Sequence, residues 1–523
     1  MWFFLLLEIL NKKIFFFFTQ NIYCYNKHMK TILILFLIIF LVIFYLVLSL
    51  DNQSIYKYRD KFFILSMILF LLSLMMLFIY NLNNINSNIL VKLEWDFVFT
   101  YLFYYELYID NLSISFIVLT TFLIPITLGI GLINIKYRLK EYLLYFFLIE
   151  VLLINFFLVT NLLLFYIYFE AILILMFLVI LIWGSKKRKI HASFLFFFFT
   201  LVGSLFMILG ILWLYLYVGE LNIQILQYII LSKEHQLVLW FLFFVAFAVK
   251  VPIYPVHSWL PEAHVEAPTG GSIILAGVLL KLGLYGMLRI LLPLFPVANI
   301  YYTPLVVTLS FISVIFISII ILQQIDLKKI IAYSSIAHMN FAVIGIFSNN
   351  IYGIEGSIFT MLSHGLISSM LFFCIGVLYD RYGKCNFFFY INIEKIFPYF
   401  CFFFFFGIIA NLGMPGTSSF VGEFLLLLSL SFKSTLLLFI MSLSLFLTTI
   451  YCIWLFNRIS FGYMSNKYIV VYKDLIRFES IILIVFTVLI LFFGLYPNCI
   501  LNLFHDFVYF NMYKHVLFLP KSL

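Results

Sequence analysis

Long apolar runs separated by short polar segments fill most of this chain. Each run has roughly 20 residues, the length at which an α-helix crosses about 30 Å of hydrocarbon. The short alternating segments of a membrane β-barrel are not seen. The pattern predicts an all-α polytopic membrane protein with about fourteen transmembrane helices. The predicted spans are 31–50, 61–80, 112–135, 142–160, 161–183, 192–217, 236–256, 270–292, 302–324, 328–348, 354–378, 397–430, 433–456 and 478–497.

Proline and glycine interrupt two of these runs. Pro252 falls near the end of the 236–256 run, and Pro415, with glycines on both sides, falls inside the 397–430 run. Because proline removes a backbone donor and clashes with the preceding turn, we expect both helices to be broken.

Composition supports the membrane assignment. Apolar residues make up 65% of the 523 residues, charged residues only 10%, and the mean hydropathy is +1.17. A soluble domain has about a quarter charged residues, so the bilayer must surround most side chains here. The net charge is +9, and the basic residues lie in short loops between apolar runs, which is typical of the positive-inside rule rather than of nucleic-acid binding.

The loop charges predict an orientation. Basic residues cluster in the loops after odd-numbered helices, which therefore face the matrix or cytoplasm; 256–269 is the exception. The six cysteines form no C-x-x-C pair, so we expect neither a zinc or iron–sulfur site nor a disulfide framework. Heavy use of Phe, Ile, Leu, Tyr, Asn and Lys is typical of AT-rich organelle genomes.

Several ionisable residues fall inside the predicted helices. One such group at the bilayer centre costs at least about 2.5–3.5 kcal/mol, so it persists for function or for pairing. One alone would indicate an interior ion pair, but seven near one depth indicate a polar row that carries protons. They are Glu150, Glu170, Lys250, Lys281, His338, His364 and Glu423.

This mixture of residue types suits proton transfer. Moving a carboxylate such as Glu170 toward or away from a buried ammonium such as Lys250 would change how tightly the lysine holds its proton. Histidine titrates near neutrality and has two ring nitrogens, so it can relay a proton between neighbours.

Several motifs resemble the subunit 4 family of NADH dehydrogenase (ubiquinone), an antiporter-like membrane subunit of mitochondrial complex I. The strongest resemblance is in 247–252, 255–269 and 279–286, which include Lys250 and Lys281. The resemblance covers roughly 112–456. Supporting motifs lie at 165–170, 200–204, 326–339, 363–366, 413–416 and 420–423.

The resemblance implies fourteen core helices with two inverted five-helix repeats, each containing a broken helix. The implied division is an N-terminal extension at 1–30, helices 1–3 at 31–141, the first repeat (helices 4–8) at 142–292, the second repeat (helices 9–13) at 302–456, and the last helix with the C-terminal tail at 457–523. Residues 1–30 either span the membrane or lie at its surface.

The resemblance also implies roles in proton translocation. Glu170 and Lys250 would form the coupling ion pair, and Lys281 would be the central carrier. His338 and His364 would bridge to Glu423 as the terminal site; Glu150 is a further member whose surroundings match less well.

The family binds no redox cofactor, so NADH, FMN, iron–sulfur clusters and ubiquinone are expected in partner subunits. The expected partners are other membrane-arm subunits, including neighbouring antiporter-like ones, in the mitochondrial inner membrane. The basic stretch 186–189 is a topology signal and a candidate cardiolipin contact.

Two other functions stay open from the residues: a subunit of a multi-component sodium/proton antiporter, and a membrane scaffold whose polar row is paired but does not conduct. Subunit 5 relatives typically carry His where Lys281 stands, and subunit 2 lacks the 259–268 signature. We interpret His257, Glu262, His264 and Glu266 as parts of a structural loop, because their spacing does not suit a metal site.

Overall fold

The computed structural model describes residues 22–24, 40, 52–82, 89–93, 105–185, 187–390, 392–462 and 474–518. Most of the N-terminal extension 1–30 and of the predicted helix 31–50 lies outside these residues, as does Lys186.

Helices form most of the described chain, as the apolar runs predict. In chain order they are α1 (Asn52–Leu82), α2 (Asn111–Asn134), α3 (Leu139–Leu158), α4 (Leu162–Trp183), α5 (Lys189–Val218), α6 (Ile223–Leu226), α7 (Lys233–Lys250), α8 (Trp259–Glu266), α9 (Thr269–Leu294), α10 (Pro296–Gln323), α11 (Leu327–Ile346), α12 (Ile351–Tyr382), α13 (Ile393–Ile396), α14 (Pro398–Leu412), α15 (Ser418–Ser431), α16 (Thr435–Ser460), α17 (Arg477–Leu495) and α18 (Asn498–Phe518).

Eleven helices in the described part of the chain are long and apolar enough to cross a membrane. Two shorter apolar helices, α14 and α15, follow each other across a break. The chain is therefore a multi-pass membrane protein, whereas the count of fourteen spanning helices stays a prediction.

Both predicted helix breaks are confirmed. Helix α7 ends at Lys250, six residues before its predicted end at 256, and α8 begins only at Trp259. The Trp259 indole donates to the Val249 carbonyl (3.0 Å), which gives one of the free carbonyls at the end of α7 a partner. Helix α14 ends at Leu412, and Gly413 turns the chain with φ +79° before α15.

The all-α expectation needs correction in one place. Strands β1 (Ile22–Cys24), β2 (Ile89–Leu93) and β3 (Tyr105–Ile109) form a small antiparallel sheet in the order β1-β2-β3. The sequence reasoning missed it because strands of three to five residues are too short for a clear alternating pattern.

The C-terminal segment beyond the last predicted span is also more ordered than a tail. It contains α18, where His505 Nδ1 lies 2.6 Å from the Glu355 carboxylate of α12. This contact links α18 to one of the most buried helices.

Helices α9 and α12 form the centre of the packing. Every residue in their most apolar stretches is buried, whereas only 28% and 22% of the corresponding residues of α16 and α17 are. Gly277 and Gly365 face each other where these helices meet: a β-carbon on Gly365 would lie 3.2 Å from the Gly277 carbonyl. Small residues at such points let membrane helices approach closely.

Asp110 connects the start of α2 to α9. Its carboxylate accepts from the Ser113 backbone N–H (2.9 Å), and the Ser113 hydroxyl accepts from the Asp110 N–H (3.0 Å), which completes a capping box. The same carboxylate pairs with the buried guanidinium of Arg289 on α9.

We expect Asp110→Ala to destabilise the detergent-solubilised protein by about 3–5 kcal/mol, because Arg289 would stay buried without its counter-ion. Thermal unfolding monitored by circular dichroism measures the loss. Glu141→Ala is the control: its partner Arg138 lies 3.6 Å away and both are exposed, so the cost should be below about 1 kcal/mol. Equal stability of the two variants would contradict the role of the Asp110–Arg289 pair.

Candidate functional site

Lys281 lies in the middle of α9 and is fully buried. Its ammonium donates to the Ala276 carbonyl (2.5 Å) and lies 2.9 Å from His364 Nδ1 on α12. Ala276 belongs to a π turn, Leu275–Leu279, that immediately precedes the α-helical segment carrying Lys281. Such turns change the backbone hydrogen-bond register and are frequent at functional sites.

Two histidines extend the row away from Lys281. The rings of His364 and His338 have centroids 5.7 Å apart. On its other side, His338 Nδ1 lies 3.5 Å from the Glu423 carboxylate. Four of the seven predicted residues therefore form one buried sequence of neighbours: Lys281, His364, His338 and Glu423.

The break between α14 and α15 makes room for Glu423. Gly413 adopts φ +79°, and a β-carbon there would collide with the Glu423 carboxylate. Glycine is thus required at 413 both for the backbone conformation and for the approach of the carboxylate. The Ser419 hydroxyl donates to the Ala410 carbonyl and links the two half-helices.

Glu170 and Lys250 lie on neighbouring helices, α4 and α7. The two groups interact electrostatically, and the Ser204 hydroxyl, which donates to the Leu201 carbonyl (2.8 Å), also interacts with Glu170. No hydrogen bond or ion pair within 4 Å joins them among the described contacts. The Lys250 ammonium instead lies 4.5 Å from the centre of the Phe169 ring, a cation–π distance.

Helix α9 also passes close to Lys250. A β-carbon on Gly283, two residues after Lys281, would lie 3.1 Å from the Lys250 β-carbon. Glycine at 283 thus brings the end of α7 beside the helix that carries Lys281.

Glu150 is fully enclosed on α3. Neither of its carboxylate oxygens has a hydrogen-bond partner within the described part of the chain. The structure thus does not connect Glu150 to the other six residues through a described contact.

His264 is the residue that the sequence reasoning set aside. It is fully buried, not part of an open loop, and its ring stacks on Phe372 of α12 with centroids 4.5 Å apart. Neither ring nitrogen has a partner among the described groups, and His264 interacts electrostatically with Lys328, Lys281 and His364. Its position within the family-like motif 255–269 was a signal, but the proline at 261 favoured the loop interpretation.

The arrangement can pass protons but offers little to a metal. In the described ranges, no three His, Cys, Asp or Glu side chains cluster as metal ligands. The row contains lysine, histidine and carboxylate side chains, and each of these can exist with or without its proton.

Comparison with known proteins identifies the family. Residues 159–450 match the family model described as NADH:quinone oxidoreductase/Mrp antiporter, TM. The chain is 49% identical over 403 residues to NADH-ubiquinone oxidoreductase chain 4 of Chondrus crispus, covering 77% of this chain and 82% of that relative. It is 45% identical over 473 residues to the chain 4 of Triticum aestivum, covering 90% and 94%.

A solved structure has the same fold. A chain of respiratory complex I from Thermus thermophilus superposes with a TM-score of 0.79 at 25% identity, covering 92% of this chain and 99% of that chain. Together, the sequence identity, the family model and the shared fold confirm the resemblance noted in the motifs. The chain belongs to the NADH-ubiquinone oxidoreductase chain 4 family.

Proposed function

We propose that this chain translocates protons across the membrane as a membrane-arm subunit of NADH:ubiquinone oxidoreductase (complex I), through the row of buried ionisable side chains. The observation that carries the proposal is the sequence of contacts from Lys281 through His364 and His338 to Glu423. Hydrocarbon does not tolerate such groups unless they serve one another, and proton relays are a main use of them.

Within this row, Glu170 and Lys250 act as the coupling pair and Lys281 as the central carrier. Because the pair is electrostatic and not in direct contact, a small shift of α4 against α7 would change their interaction. His364 and His338 then bridge to Glu423 as the terminal site. Glu150 is a further member of the row whose connection requires water or a side-chain movement.

The proposed architecture is fourteen spanning helices with two inverted five-helix repeats, at 142–292 and 302–456. The eleven long helices, α7 and the α14/α15 pair correspond to every predicted span except 31–50. Each proposed repeat contains one broken helix with an ionisable residue beside the break, Lys250 in the first and Glu423 in the second. Broken helices at ion sites are typical of transporters built from inverted repeats.

The chain itself holds no redox centre in this proposal. NADH, FMN, iron–sulfur clusters and ubiquinone bind to partner subunits, and the partners of this chain are other membrane-arm subunits, including antiporter-like neighbours. We place the protein in the mitochondrial inner membrane, encoded by the organelle, with basic loops facing the matrix and cardiolipin as a lipid contact of the 186–189 segment. The relatives named NADH-ubiquinone oxidoreductase chain 4 support this assignment.

Lys281→Arg tests whether Lys281 carries a proton or only balances charge. Arginine keeps the positive charge and the hydrogen bonds but does not release its proton. We expect the variant to lose proton translocation, measured as NADH-driven dye quenching in proteoliposomes of the assembled complex. If this chain were a non-conducting scaffold, the assembled complex would instead pump normally with arginine at 281.

The exposed Lys395→Arg is the matched control and should pump at the wild-type rate. Native gels and NADH oxidation by an artificial acceptor check that both variants assemble. Sodium-dependent transport that persists in Lys281→Arg would favour the sodium/proton antiporter instead.

Gly413→Ala tests the position of Glu423. Alanine at 413 both strains the backbone, by roughly 1–2 kcal/mol, and pushes the Glu423 carboxylate away from His338. Gly416→Ala is the control, because Gly416 also has a positive φ (+93°) but a β-carbon there meets nothing within 4 Å. We expect both to lower stability and only Gly413→Ala to reduce protons pumped per NADH; equal pumping by the two would argue against the placement of Glu423.

A further inference from the structure

The seam between α12 and the α8–α9 segment runs from Lys281 toward the basic-loop side of the membrane. Four points along it are in contact: Lys281 with His364, Gly277 with Gly365, His264 with Phe372, and Thr269 with Gly376. On α12, the residues 364, 368, 372, 376 and 380 are spaced by four, about 6 Å of rise each, and form one ridge of the helix.

Asp380 lies at the end of this ridge nearest the basic loops. Its carboxylate accepts from the Asn134 side-chain amide of α2 at 2.5 Å, and both residues are exposed at the surface. The charged groups around it are Glu479 on α17, Lys328 at the start of α11, and its neighbour Arg381, which pairs with Glu479 at 2.6 Å.

A small cavity lies beside Asp380. It measures about 20 Å³ as space for the centre of a water molecule, and its polar lining is Asp380, Asn134, Glu479 and Thr269. One water needs about 10–15 Å³ on this measure and two to four polar partners, so the cavity can hold a water molecule. Thr269 is also the first residue of α9, the helix that carries Lys281.

His264 occupies the interval between the cavity and Lys281. Phe372, one helical turn beyond Gly376, covers one face of its ring, and Phe373 lines the cavity. Both ring nitrogens are enclosed and without a hydrogen-bond partner among the described groups. A fully buried imidazole with both nitrogens unused is costly unless water or a transferred proton engages it.

We infer that this seam is the route by which protons reach Lys281 from the side of the basic loops. Asp380 is the collecting group at the mouth, a water molecule held in the cavity and Thr269 come next, and His264 is the relay. The inference rests on the proposed function, since it supplies the central carrier of that proton path. Water carries the proton across the intervals between these groups. A proton arriving at one nitrogen of His264 leaves from the other, so the ring returns to its starting state after its tautomer resets.

The test compares Asp380→Asn with Asp380→Glu in the complete complex reconstituted in proteoliposomes. We expect Asp380→Asn to slow NADH-driven proton uptake by about tenfold or more, increasingly so as the pH of the basic-loop side rises and protons become scarcer. Asp380→Glu should take up protons at the wild-type rate. Added formate should restore uptake by Asp380→Asn, because a small weak acid can deliver protons to the mouth. A merely structural carboxylate would respond neither to pH nor to formate.

His264→Phe provides the second variant, because phenylalanine keeps the stack on Phe372 but has no ring nitrogens. We expect the same loss of proton uptake, without rescue by formate, since the block lies beyond the mouth. Glu141→Gln is the control: Glu141 is an exposed carboxylate on the same side and outside the seam, and its variant should behave as wild type.

The outcomes separate the two proposals. If Lys281→Arg stops pumping while Asp380→Asn and His264→Phe pump at the wild-type rate at every pH, the route is wrong and the proton-translocating role of Lys281 stands. If Lys281→Arg pumps normally, the proposed function itself fails.

Discussion

The contact between the Lys281 ammonium and His364 is the interaction on which the rest of the arrangement depends. A lysine that is fully enclosed between helices loses its hydration and must be compensated by neighbours of the protein itself. Here the compensation comes from one carbonyl and one imidazole, and none of the carboxylates that the structure describes contacts the ammonium directly. Such a site suits the proposed role of Lys281 as a carrier, which must release its proton as well as hold it.

The interrupted helices follow from the same constraint. Inside a continuous helix the backbone groups hydrogen-bond to one another, whereas a break leaves carbonyls without helical partners and opens space beside an ionisable group. At the first break, the Trp259 indole takes up one carbonyl next to Lys250; at the second, Gly413 leaves space for Glu423. Gly413 therefore affects the chemistry of the site as well as the packing, because it determines how closely the Glu423 carboxylate can approach the break.

The sequence reasoning failed where local pattern and tertiary surroundings disagree. It continued the 236–256 span past the break that it expected at Pro252, whereas α7 already ends at Lys250. It also interpreted His264 as a loop residue because of Pro261, although Pro261 lies in the first turn of α8, where a proline is tolerated. The short sheet and α18 were missed because neither has the long apolar run of a spanning helix.

The amino-acid sequence by itself determined the class, the helices, both breaks and the family, because hydropathy, proline and long motifs are local properties that need no partner. It also identified the ionisable residues that belong inside the membrane. Only the tertiary structure decided which of them meet. Lys281 and His364 are 83 residues apart in sequence, and His338 and Glu423 lie on different helices, α11 and α15. Such contacts depend on how helices pack and on which glycines allow close approach, and no pattern along one helix contains that information.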